Sequence, residues 1–105
     1  MIFITGPLYS GKRTFAQQLG GRQIFDVQNL AADADDLERL ADALAADYDV
    51  AAATEIGGGI VPMEAEQRRA REAAGRLACL LAARADTVIE MFCGIPTVIK
   101  GEMPC

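Results

Sequence analysis

The chain contains no histidine. That removes the commonest general acid–base side chain and the usual nucleophile for a covalent nucleotidyl intermediate. Lysine is nearly as scarce, with only Lys12 and Lys100 present. No segment approaches the roughly 20 consecutive apolar residues of a membrane span, so no membrane partner is expected. No basic leader precedes the first apolar run, and a cytoplasmic location is the expectation. Net charge is −5, and basic residues gather only at Arg68, Arg69 and Arg71. That argues against nucleic acid as the main partner. Cysteine is sparse, scattered and odd in number. Cys79, Cys93 and Cys105 form neither a disulfide framework nor a metal pattern. Cys79 and Cys93 read as small buried hydrophobes.

What the chain does have is concentrated at its start. Residues 1–14 read MIFITGPLYSGKRT. An apolar strand, Ile2–Ile4, runs into Gly6-x-x-x-x-Gly11-Lys12, and Phe15, Ala16 and Leu19 continue as one face of a helix. Strand, glycine loop and helix in this order are what a phosphate-binding loop requires. Backbone N–H groups from Gly6 to Arg13, with Ser10 and Gly11 at the turn, would cradle a nucleotide's phosphates, and the Lys12 ammonium would reach the outer ones. The spacing arises by chance only about once per 3,000 start positions, so its placement between a strand and a helix is informative. The full pattern wants a hydroxyl after the lysine to hold Mg²⁺. Here that position is Arg13. The first hydroxyl, Thr14, comes one residue late, about 100° around the helix.

With 105 residues and 51% apolar content, a single domain over 1–105 with a modest core is expected. Gln23–Val27 reads as a second strand. Ala31–Asp47 reads as a helix capped by Asp33, with Leu37, Leu40, Ala41, Leu44 and Tyr48 on one apolar face. Asp49–Glu55 reads as a third strand, ending in Gly57-Gly58-Gly59. A long helix over about Met63–Arg84 buries Ala70, Ala73, Ala74, Leu77, Leu80 and Leu81. Thr87–Phe92 is a fourth strand and Thr97–Lys100 a short fifth. This alternation predicts an α/β fold: a parallel sheet of 4–5 strands, flanked by helices on both faces and joined by right-handed crossovers.

Ligands of such sheets bind beyond the carboxyl ends of the strands. The phosphate loop, Asp26, Glu55 with Gly57–Gly59, and Cys93–Pro96 all fall there. Asp26 and Glu55 are the candidates for holding Mg²⁺, as phosphate-loop enzymes place a carboxylate at a neighbouring strand end. The alternatives are a turn cap for Asp26 and an ordinary ion pair for Glu55. Gly57 and Gly59 would let a ligand approach the backbone, or would only relieve a tight turn. Arg68–Glu72 and Glu72–Arg76 have the spacing of a salt-laced solvent face. Arg71 or Arg68 reaching an anionic substrate is the other reading.

Residues 54–100 also carry a resemblance. Glu55, Gly57, Gly59, Ile60, Val61, Pro62, Arg69, Arg71, Gly75, Arg76, Leu77, Ala85, Asp86, Val88, Gly94, Pro96 and Lys100 match, without a gap, the bifunctional adenosylcobinamide kinase / adenosylcobinamide-phosphate guanylyltransferase family. The loop Gly6-x-x-x-Ser10-Gly11-Lys12 with Ala16 resembles that family's phosphate loop. The resemblance implies a phosphate-loop fold. It also implies ATP- or GTP-dependent phosphorylation of the adenosylcobinamide aminopropanol hydroxyl, then GMP transfer through a guanylylated histidine. The family's histidine-bearing segment lies between the first helix and the strand at Gln23, and this chain lacks it. Arg13 replaces the loop serine, Thr54 the asparagine of an Asn-Glu pair, and Ala78-Cys79 an Asn-Gln pair.

The reading is therefore a nucleotide-binding phosphotransferase with at most the kinase half retained. Lys12, Asp26 and Glu55 are its candidate catalytic residues. Gly6, Ser10, Gly11, Lys12, Arg13, Thr14, Gly57, Gly59 and Arg71 are its candidate ligand contacts. Mg²⁺ is the expected metal, ATP or GTP the expected nucleotide, and a corrinoid a candidate second ligand. The alternative is a binding or regulatory module without turnover. The alanine-rich helix and strand edges lead us to expect a homo-oligomer.

Overall fold

The computed structural model describes residues 1–7, 10–54 and 64–103. In chain order the elements are β1 (Ile2–Gly6), α1 (Lys12–Leu19), β2 (Gln23–Ile24), α2 (Gln28–Ala31), α3 (Leu37–Asp47), β3 (Val50–Thr54), α4 (Ala65–Arg84), β4 (Thr87–Phe92) and β5 (Ile95–Lys100). They form one sheet in the order β2-β3-β1-β4-β5. β1 is central: Ile2 lies opposite Val50 on one side and Thr87 on the other. The chain thus leaves β1 to build β2 and β3 on one flank, then returns to add β4 on the other. Such a switch of direction opens a crevice at the carboxyl ends of the central strands.

Four strands are parallel, as the alternation predicts, but β5 runs antiparallel to β4, with Phe92 opposite Ile95. Only Cys93 and Gly94 join these two strands, and a parallel connection needs a dozen residues or more. Both adopt positive φ, 49° and 77°, the signature of a tight two-residue hairpin.

Helices cover both faces. On one, Phe3, Ala51, Ala53 and Val88 of the sheet meet Val27, Ala31 of α2, Ala41 and Leu44 of α3, and Ala74, Leu77 and Leu81 of α4. On the other, Ile4, Val50, Ala52, Ile89 and Met91 pack with Ala16 of α1, flanked by Phe15 and Leu19. The alanines of β3 let helices approach both faces closely. Burial of each core leucine contributes about 2 kcal/mol.

Several boundaries differ from expectation. The second strand stops at Ile24 because the chain turns at Asp26, which has φ 57°. The helix expected over Ala31–Asp47 begins only at Leu37, as α3, with Ala31 instead ending α2, and Asp36 rather than Asp33 is the cap. Asp36 Oδ1 accepts from the N–H groups of Glu38 and Arg39 at 3.1 and 3.2 Å. Short polar side chains in the Asp33–Asp36 run compete with helical backbone bonds. The long helix starts at Ala65, behind a capping box in which Glu64 and Gln67 exchange side-chain bonds. Cys79 and Cys93 are exposed, not buried. Cys79 lies two residues from both Leu77 and Leu81, on the opposite side of α4, and Cys93 sits in the hairpin turn. On α4, Glu72 and Arg76 are exposed and form no ion pair among the described residues.

At the amino edge of the sheet, the Met1 ammonium lies 2.9 Å from Asp86. Its hydrogen bond, then its charge, holds the Asp86 carboxyl below the usual carboxylate range. Lys100 Nζ donates to the Ala82 and Ala83 carbonyls at the end of α4, both at 3.1 Å. This is the edge away from the crevice. Among the described residues, no helix is long and apolar enough to cross a membrane.

Candidate phosphate site at the carboxyl edge of the sheet

The crevice is a cleft of about 430 Å³ lined by Ser10, Gly11, Lys12, Arg13, Thr14, Phe25, Asp26, Ala52 and Thr54. Three connections supply it: the loop after β1, the turn after β2 and the end of β3. The loop is held from both sides. Ser10 N–H donates to the Pro7 carbonyl at 3.2 Å, and Gly94 N–H donates to the Ser10 carbonyl at 2.9 Å. The β4–β5 hairpin therefore braces the loop without lining the cleft. Gly6 has no room for a side chain, since a Cβ there would run into the Met91 carbonyl oxygen and approach Ser10 Oγ. Gly11 adopts φ 90° and occupies the N-cap position of α1 with no side-chain cap. Gly11–Thr14 line the cleft, so the positive end of the α1 dipole is directed at it.

Lys12 is the first residue of α1 and is only 9% exposed. Its Nζ donates to the Pro7 carbonyl at 2.7 Å and to Ser10 Oγ at 3.3 Å. The ammonium is thus folded back over its own loop. Ser10 is itself 2% exposed, so its hydroxyl is a fixed partner of the lysine.

Arg13, the second residue of α1, reaches the turn after β2. One Nη is 3.3 Å from Asp26 Oδ2, and the guanidinium sits 4.5 Å from the centroid of the Phe25 ring. The other Asp26 oxygen accepts from the Thr54 hydroxyl at 3.4 Å. Thr54 is fixed in turn through its backbone N–H, which donates to Gln28 Oε1 at 3.0 Å. The left-handed backbone of Asp26 is one that aspartate tolerates better than most residues.

A family described as cobinamide kinase / cobinamide phosphate guanyltransferase matches residues 23–99 of the chain. The chain belongs to that family. No curated protein matches significantly. The matched span covers Asp26, Thr54, α4 and the β4–β5 hairpin. It begins after the Gly6–Lys12 loop, so the loop stands on its own sequence and geometry. Membership connects the chain with the kinase- and transferase-type chemistry of cobalamin biosynthesis.

Of the residues expected at the cobinamide-kinase-like site, Ser10, Gly11, Lys12, Arg13, Thr14 and Asp26 are brought to one cleft, and Gly6 shapes the loop beneath it. Arg71 is half-buried on α4 and is not among the lining residues. Glu55, Gly57, Gly59 and Cys105 lie outside the described residues. Phe25 and Thr54 were missed. Phe25 could have been found from its place one residue before Asp26, beside a cleft rich in charge. Thr54 registers in the sequence only as a departure from asparagine.

Of the two carboxylates expected to hold Mg²⁺, Asp26 lines the cleft and Glu55 lies outside the described residues. Among the described residues, no group of three or more acidic or cysteine side chains converges on a point. Asp26, the one acidic residue among the described residues lining the cleft, has an oxygen on a guanidinium and an oxygen on a hydroxyl. Arg13 stands where the metal-binding hydroxyl of the loop pattern would be.

Proposed function

We propose that this chain is a nucleotide-binding phosphotransferase of the cobinamide kinase type, with ATP or GTP as phosphate donor. One observation carries the reading: the sheet's crevice holds a buried lysine, a glycine-capped helix start and a braced loop on one wall. Amides at a helix N-terminus and a nearby ammonium are the groups that recognise polyphosphate. Transfer of a phosphoryl group requires positioning and charge stabilisation more than covalent participation, so the absence of histidine does not oppose it. On binding, the terminal phosphates would replace the Pro7 carbonyl and Ser10 hydroxyl as partners of Lys12. A cobinamide-type alcohol would then be the acceptor, entering from the open side of the cleft. The guanylyltransferase half is absent from this proposal because no histidine is present to carry GMP. A homo-oligomer in the cytoplasm is the setting proposed with it.

The second reading is a nucleotide- or corrinoid-binding module without turnover. The Arg13–Asp26 ion pair favours it, since that pair ties up the carboxylate that would otherwise assist catalysis.

Thermal unfolding with ATP or GTP tests nucleotide binding. A ligand that binds only the folded chain raises Tm by mass action, by about 2.7 kcal/mol of stabilisation at a hundredfold excess over Kd. Lys12→Ala should remove the shift. If no nucleotide at millimolar concentration moves Tm, both readings of the cleft as a nucleotide site fail. Product formation from adenosylcobinamide and labelled ATP then separates kinase from binding module.

A further inference from the structure

We infer that Arg13 takes the place of the divalent cation in this cleft, so that nucleotide phosphates bind without a metal. The inference rests on the phosphate-site reading above and goes beyond it in assigning the site's second cation. Three observations point the same way. The guanidinium occupies the sequence position after the loop lysine and lines the cleft with Lys12. Its Cζ lies over the Phe25 ring, 4.5 Å from the centroid, an attraction that restricts where the charge can sit. Asp26 anchors one edge at 3.3 Å. A guanidinium carries five N–H donors, and the anchor engages one Nη. Donors remain for phosphate oxygens, which arginine binds in the forked geometry that a lysine cannot supply.

The anchor is also weak enough to be shared. The Arg13 side chain is 62% exposed and that of Asp26 47%, and ion pairs at such exposure contribute only about 0–1 kcal/mol. An incoming phosphate can therefore gain the guanidinium without displacing a buried pair. Asp26 acts here as a positioning residue: it holds the arginine toward the phosphates and would not itself touch them. In the usual arrangement the carboxylate holds the metal and the metal holds the phosphate. In this cleft the carboxylate holds the arginine, and the arginine would hold the phosphate.

The test is a calorimetric titration of ATP and GTP into the full chain, once in EDTA and once in millimolar Mg²⁺. The unmodified chain should give dissociation constants that agree within about threefold in the two buffers, since one charge-assisted contact replaces another. Arg13→Ser should weaken binding in EDTA about tenfold or more, and Mg²⁺ should recover it. Arg13→Lys, which keeps the charge but not the planar fork, should fall between them. Tm of each unligated variant checks folding. Binding by the unmodified chain that requires Mg²⁺ overturns the inference and leaves the phosphate site standing. Equal metal-free binding by the Arg13→Ser variant also overturns it. No nucleotide binding in either buffer overturns the inference together with the phosphate-site reading.

Discussion

Lys12 and Lys100 are the only lysines, and they have opposite placements. Lys12 is buried over the Gly6–Lys12 loop, whereas Lys100 closes the end of α4 at the far edge of the sheet. With histidine absent, a covalent nucleotidyl intermediate would need one of these amines as a phosphoramidate. Lys12 is committed to the loop, and Lys100 faces away from the cleft. The chain incubated with α-labelled GTP and then denatured should therefore retain no label. Label mapped to either lysine would contradict the proposal that the guanylyltransferase step is lost. At this scale the sequence was informative where spacing fixes chemistry. Gly6-x-x-x-x-Gly11-Lys12 located the loop, and Asp26 followed from its place at a strand end. It was uninformative where partners are distant in the chain. Phe25 beneath Arg13 and Thr54 beside Asp26 depend on how three connections meet. Cys79 and Cys93 were misjudged because cysteine's usual burial is a tendency that one helical position or one turn overrides.

At the scale of elements, periodicity located α3 and α4 because each buries one stripe of leucine and alanine. Their starts were less legible. Three candidate caps, Asp33, Asp35 and Asp36, lie close together, and only the folded backbone chooses between them. Asp36 is the residue that caps two N–H groups of α3. Asp36→Ala should therefore cost about 1 kcal/mol in urea unfolding, while Asp33→Ala should cost only a few tenths. Equal losses would mean that the helix begins earlier than described. β5 shows a different limit. Its residues read correctly as a strand, but direction is a property of the connection. The sequence reading starts the strand at Thr97 and leaves Cys93–Pro96 as a strand-end segment, whereas β5 starts at Ile95, and the two-residue link through Cys93 and Gly94 outweighs the βα alternation of the preceding chain.

At the scale of the molecule, the sheet order makes the rest coherent. Because β1 lies between β3 and β4, its following loop opens at the crevice where the chain reverses its direction of building, and the hairpin after β4 braces that loop. The family match over residues 23–99 and the Gly6–Lys12 loop before it thus contribute different walls of one cleft. The central claim is that this cleft is where a nucleotide binds. Amide chemical shifts of the ¹⁵N-labelled chain during titration with ATP or GTP test it most directly. The largest changes should fall on Ser10–Thr14, Asp26 and Thr54, and should disappear in Lys12→Ala. Changes centred on the α3–α4 face, or none at millimolar nucleotide, would contradict it.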